Sequence, residues 1–176
     1  NQEKRVLLYH EGALIESDQA YFYSKKNFFK AIGNIIFTQG DSLIMKCETI
    51  EYDGKTKNAI AKGNVKLQRP DMILSTERLN LNRISNEAFY NTKGVIIDSV
   101  STLTSNQGRY YINKKKYRFI SNVVINNPEY YVNSEQLDYY TELNQANLYG
   151  ESEIKGRNYK IECKQGFYDL EHEKGS

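Results

Sequence analysis

One period governs this sequence. Val6, Ile35, Val65, Val95, Val123 and Ser152 recur at steps of 29, 30, 30, 28 and 29 residues. Between them Ser17, Cys47, Thr76, Ser105, Ser134 and Cys163 recur at steps of 30, 29, 29, 29 and 29. Two independent ladders with one beat imply a tandem array of about six units, each too small to bury its apolar side alone. Such a chain must stack its units, so its fold is fixed by what one unit looks like.

Each unit reads as two strands. Ala59, Ala61, Gly63, Val65 and Leu67 share one parity, as do Met72, Leu74 and Thr76, and alternation of this kind puts every second side chain on one face. After Thr76 the apolar positions resume one residue late, at Leu79 and Leu81. The skipped pair is polar in every unit: Asp18-Gln19, Glu48-Thr49, Glu77-Arg78, Asn106-Gln107, Glu135-Gln136 and Lys164-Gln165. A slip of one residue turns an apolar face outward, and a bulge at this pair restores it. Gly33-Asn34 and Gly63-Asn64, with Gly94 and Gly150, mark a second candidate bend. Connections rich in Asn, Gly, Asp, Lys and Pro fall near 24–27, 53–58, 82–87, 113–116 and 141–145, and near 39–42, 68–71, 98–101, 126–129 and 155–158. No segment holds a 3.6-residue pattern. Bent strands with one apolar face must fold that face over on itself. The expectation is one all-β domain over 1–176, an elongated two-layered sheet with an apolar trough and open strand edges at its ends.

Composition fits. The chain has 15 Tyr, 7 Phe, no Trp and two Pro, which suits a sheet apolar on one side and wet on the other. Net charge is +2 and demands no acidic partner. No apolar run approaches the ~20 residues of a membrane-spanning helix. An opening at Asn1 rather than Met fits a processed chain. Cys47 and Cys163 share a column four units apart, too distant for a disulfide that needs Cα atoms within ~7 Å. They are expected to be free thiols acting as small fillers.

Catalytic chemistry finds little footing. His10 and His172 form no metal spacing with a cysteine or with each other, and no nucleophile elbow, phosphate loop or dinucleotide fingerprint occurs. Glu48, Glu77 and Glu135 align in one column, but Asn106 and Lys164 interrupt it, which reads as a solvated corner. Neither metal nor cofactor is expected. Basic and aromatic residues interleave from Arg109 to Phe119. That pattern could stack and neutralise nucleic acid. Alternatively Tyr110, Ile112, Tyr117 and Phe119 fill repeat columns around a lysine turn, and no nucleic-acid partner is expected. A third reading sets Lys114, Lys115 and Lys116, with Lys25 and Lys26 at the equivalent turn, against phosphates of an anionic glycolipid at the trough's rim.

The stretch Ala59-Ile-Ala-Lys-Gly-Asn-Val-Lys-Leu67, followed by Met72-Ile-Leu-Ser-Thr-Glu-Arg-Leu-Asn-Leu81, resembles the repeat of the OstA-like, LptA-type family of periplasmic lipopolysaccharide-transport proteins, which includes the N-terminal domain of LptD. Leu43 to Asp53 with Asn58 to Asn64 matches best, and residues 30–98 carry the resemblance most clearly. It implies a half-open antiparallel β-jellyroll of about six 29-residue two-strand repeats. It also implies a non-enzymatic periplasmic protein that shields lipid A acyl chains and bridges inner and outer membranes. The implied partners are lipopolysaccharide and like jellyrolls, or further copies of the chain, joined end to end through edge strands. On the repeat columns the lipid-facing residues are expected to be Val65, Leu67, Leu74, Val95, Ile97, Leu103, Phe119, Ile125, Val132 and Leu148. The alternative is a structural or adhesive β-repeat protein with a self-filled core that assembles through its edges without lipid.

Overall fold

A computed structural model describes residues 5–10, 12–143, 145–169 and 174–175. Among them there is no α-helix; the only helical turns are the 3-10 turns Ser24–Lys26 and Ile112–Lys114. The chain divides into two compact units, Asn1–Asn86 and Glu87–Ser176. His172, in the charged tail, lies outside the described residues.

In the first unit the strands are β1 (Val6–His10), β2 (Ala13–Ser17), β3 (Gln19–Tyr23), β4 (Phe28–Gln39), β5 (Leu43–Asp53), β6 (Asn58–Gln68) and β7 (Ile73–Asn82). Each neighbouring pair is antiparallel. β2 and β3 lie end to end along β4, followed by β5, β6 and β7 in order. In the second unit the strands are β8 (Glu87–Tyr90), β9 (Gly94–Ile97), β10 (Thr102–Ser105), β11 (Gln107–Tyr111), β12 (Lys116–Asn126), β13 (Tyr130–Tyr140), β14 (Gln145–Gly156), β15 (Lys160–Asp169) and β16 (Lys174–Gly175). Here β10 and β11 lie end to end along β12, and β13, β14 and β15 follow antiparallel. The fold class is the all-β antiparallel jellyroll that the resemblance implies.

The bend has one cause, and it unites two expected ones. The register between β4 and β5 runs Ile32↔Thr49 and then Ile35↔Cys47, so Gly33 and Asn34 face the single residue Glu48. The same two-against-one step sets Gly63-Asn64 against Glu77, Ser121-Asn122 against Glu135, and Gly150-Glu151 against Lys164. The polar pair and the Gly-Asn pair are therefore two sides of one β-bulge, not two separate bends. Two doublets are left-handed at both residues, with φ of 83° at Gly33, 45° at Asn34, 80° at Gly63 and 47° at Asn64, whereas in Gly150-Glu151 only the glycine is, at 78°. Glycine and asparagine tolerate that region. At 121–122 serine and asparagine adopt it, with φ of 65° and 51°.

Three of these corners are clasped. The Asn34 amide donates to Asp18 Oδ2 at 2.8 Å, the Asn64 amide to Glu48 Oε1 at 2.8 Å, and the Asn106 amide to Ser121 Oγ at 3.0 Å. The acidic column thus closes on the left-handed doublets next to it. The Ser/Thr/Cys ladder has a role beyond small size. Ser105 Oγ donates to the Gln107 carbonyl at 2.9 Å, Ser134 Oγ to that of Gln136 at 2.8 Å, and Cys47 Sγ reaches that of Thr49 at 3.5 Å. A short donor bridges the kink where strand pairing is interrupted, so the carbonyl there is not left unsatisfied. The two ladders are cross-strand partners: Val6↔Ser17, Ile35↔Cys47, Val65↔Thr76, Val123↔Ser134 and Ser152↔Cys163.

At the fourth step the partner of Ser105 is Gly94, not Val95. This corrects the ladder. Gly94 is buried; Ile96 pairs with Leu103 and both pack on the core of the second unit. Val95 and Ile97, expected to face inward, therefore lie on the opposite face, where Ile97 is 47% exposed. The physical reason is Tyr90. A side chain at Gly94 would run into its ring, so the column residue is reduced to glycine and the chain is read one position off.

Candidate functional site

The inner face of each unit is the candidate site, and the bend builds it. In the first unit Phe29, Ala31, Ile50 and Ala61, from one side of the corner, form one buried cluster with Ile35, Cys47 and Val65 from the other. In the second unit Phe119, Leu137 and Leu148 meet Val123 and Val132 in the same way. Side chains from both arms pack together, so each sheet closes over its own apolar face. Residues of the Val or Leu kind buried this fully contribute about 1.5–3 kcal/mol each.

Burial falls with distance from the corner. Ile35, Val65 and Val123 are essentially inaccessible. Two residues farther along the same strands Phe37, Leu67 and Ile125 are only half-buried. Met45, Tyr52, Tyr117, Tyr139 and Ile154 also pack on the clusters while staying partly open. The inner face is thus sealed at its floor, where the buried hydroxyls of Ser17, Thr76, Ser105, Ser134 and Ser152 sit among the apolar side chains, and apolar and more accessible towards its mouth.

Eight of the ten expected lipid-facing residues lie on these faces. Val65, Leu67 and Leu74 belong to the first unit, with Leu67 paired to Leu74 and to Met45. Phe119, Val132 and Leu148 belong to the buried cluster of the second, and Leu103 and Ile125 pack on it. Val95 and Ile97 are the exceptions described above. The columns did not single out Ile96, nor Tyr90, the residue that displaces the ladder. Gly94, expected only as the mark of a bend, is the buried partner of Ser105.

Among the lysines, Lys25 and Lys26 and Lys114 and Lys115 are exposed at their turns, where Asn27 and Lys115 take left-handed conformations. Lys116 differs from the expected rim contact. Its Nζ lies 2.9 Å from Asp138 Oδ2 and sits over the Tyr111 and Tyr140 rings. Arg118 grips the same carboxylate through Nε at 2.7 Å and Nη2 at 2.6 Å. Asp138 is 1% exposed although it lies on the outer side of the sheet. Burial works against its charge, but hydrogen bonds from Arg118 and Lys116 outweigh that and hold it below the usual carboxylate range. Arg109 is likewise engaged, by Glu87 at 2.5 Å and by the Phe89 ring. Tyr110, Tyr117 and Phe119 stack in file on the inner side. The basic-aromatic stretch is accordingly an ordered sheet segment in which Tyr110, Tyr117 and Phe119 fill inner columns, Tyr111 lies among the outer cations, and those cations are mostly matched.

Among the described residues no group of three or more His, Cys, Asp or Glu converges as metal ligands would. Both cysteines are free thiols. Burial pushes the Cys47 thiol up to about 12.

The family model of OstA-like proteins matches residues 2–135, more than half of the chain. The chain belongs to the OstA-like family. No curated protein matches it. Among solved structures it is similar to LptH of Pseudomonas aeruginosa, described as the LptA-homologous periplasmic component of the lipopolysaccharide transport device. Identity is 12%, with 73% of this chain and 76% of that one covered, and the TM-score is 0.32. A mutant TCP10 domain of Danio rerio CPAP aligns at 8% identity over 83% of this chain and 99% of that one, with a TM-score of 0.14. At these scores neither structure bears on function. Membership of the OstA-like family rests on the family match.

Proposed function

We infer that this OstA-like chain is a non-catalytic module of lipopolysaccharide transport, working in the periplasm. The inner face of each unit holds lipid A acyl chains. The observation that carries the reading is the gradient on the inner face: sealed at the corner and half-open at the mouth, it leaves apolar side chains that an acyl chain can cover. Burying an acyl chain there gains about 0.8 kcal/mol per CH₂, so a dozen methylenes supply on the order of 10 kcal/mol before the costs of association. No catalytic group is needed for capture.

Bridging between membranes is part of the same reading. Among the described residues β1 pairs with β2 alone and β3 with β4 alone, which leaves each with one unpaired edge. Tyr21, Phe22 and Tyr23 on β3 and Leu7 and Tyr9 on β1 are exposed beside those edges. Open edges of this kind accept a further strand, from another jellyroll of the transport machinery or a second copy. The exposed Lys25, Lys26, Lys114 and Lys115 would meet lipid phosphates, while Lys116 is engaged by Asp138.

Native mass spectrometry of the protein isolated from its own host tests this. Bound glycolipid is the expected result. Oligomers free of lipid at every concentration would refute it and favour the adhesive β-repeat reading, which rests on the same exposed edges.

A further inference from the structure

The corner built around Tyr90 differs from the others in the second unit. At the corner formed by β12 and β13 each arm supplies its own side chains: Val123 pairs with Ser134 on one arm, and Phe119 with Leu137 on the other. At the corner formed by β8 to β11 the equivalent pairs are Gly94 with Ser105 and Tyr90 with Gly108. Two column positions are glycine. A Cβ at either glycine would meet the ring of Tyr90 well inside contact distance, so the ring lies flat against both backbones. Tyr90 is 4% exposed, and its hydroxyl is 2.6 Å from Ser105 Oγ, which in turn donates to the Gln107 carbonyl. Tyr90 stands before the bend and Ser105 belongs to the arm beyond it. One side chain therefore spans both arms and carries a polar contact across the floor of the inner face.

We propose that Tyr90 is a specificity-determining residue of the furrow: its ring, laid over Gly94 and Gly108 and tied to Ser105, is a floor that limits how far an acyl chain penetrates at this corner. The proposal rests on the lipid-carrying reading. Its force comes from the two glycines. They have no side chains with which to fill the space if the ring is removed, and with the Ser105 hydroxyl still turned to the Gln107 carbonyl the cavity takes an apolar guest. In an ordinary corner, a valine such as Val123 blocks the same space whatever happens to its neighbour.

The test is a series of lysophosphatidylglycerols of increasing chain length, titrated against the full chain and its variants. In the wild type, affinity should rise about fourfold per methylene and then stop rising when the chain meets the ring. In Tyr90→Ala the break should come about three methylenes later, which raises affinity for the longest chains roughly sixtyfold and leaves short chains unchanged. The double variant Tyr90→Ala with Gly94→Val restores the column residue found at Val65 and Val123 and should return the break to its wild-type length. Tyr90→Leu, a milder change, carries the same test should the alanine variant not fold, with a break about one methylene later. A break at the same length in wild type and in these variants overturns the role of Tyr90 while leaving lipid binding intact. Failure of the wild type to bind any chain length overturns the lipid-carrying reading itself, and the floor falls with it.

Discussion

Replacing Asp138 by asparagine probes the outer side of the second unit, where one carboxylate organises two cations. The change is nearly isosteric, so no cavity forms. It removes the charge that answers a bidentate Arg118 and Lys116, and it turns an amide NH₂ towards donors that cannot accept from it. Breaking a buried pair from one side costs about 3–5 kcal/mol when both ions are sealed. Here Asp138 is sealed, but the Arg118 side chain is about a third exposed and can rehydrate. That places the expected loss at about 2–3 kcal/mol at neutral pH. In an Arg118→Gln background the same substitution should cost about 1–2 kcal/mol less, because the pair is then already broken. The sign with pH is fixed by the depressed carboxyl. Its contribution is complete above the ordinary value of 3.8 and is lost as pH falls from there through the folded value. Urea unfolding of both proteins from neutral to acid pH should therefore show a gap that closes below about pH 4. Wild type and variant within about 0.5 kcal/mol at pH 7, or a gap that persists in acid, would refute the account of this cluster.

Two further outcomes follow from the corners. Gly63 has φ of 80° and a Cβ there would press on the Glu48 side chain, whereas Gly40, with φ of 58°, has open space around it. Gly40→Ala should cost only the backbone term of about 1–2 kcal/mol, and Gly63→Ala clearly more in the same denaturation assay; equal losses would sink the clasped-corner description. Cys47 is buried with its thiol pushed up to about 12, while Cys163 is partly open. A chromogenic disulfide reagent should therefore label Cys163 in the folded protein and Cys47 only on unfolding, and like rates for the two thiols would contradict the burial of Cys47.

Much of this fold was legible because a two-residue alternation and a fixed period are properties of the sequence itself. Leu67 facing Leu74, and Ile125 facing Val132, follow from parity once the units are aligned. The register of the corners was only half legible. Glu48-Thr49 and Gly63-Asn64 each signalled a bend, yet nothing in one strand says that its bulge lies against the polar residue of the next. That is a cross-strand fact, and it makes one corner out of two signals. The Val95 column failed for a different reason. Volume is conserved across a packed corner rather than within a column, so a large Tyr90 permits Gly94 and Gly108, and the apolar ladder shifts to residues that face outward. Lys116 was misjudged because three consecutive lysines at a turn look alike in sequence. Only the strand pairing Lys116↔Tyr140, with Asp138 two residues away, separates it from Lys114 and Lys115.

The central claim is that the inner face, and not the outer one, carries acyl chains. The most direct measurement places a photo-crosslinking amino acid in living cells at Ile125, which packs on the inner cluster, and separately at its neighbour Val124, which pairs with Thr104 and Asn133 on the other side. The account predicts a lipopolysaccharide adduct from position 125 and none above background from position 124. Adducts of equal strength from the two positions, or from 124 alone, would contradict it.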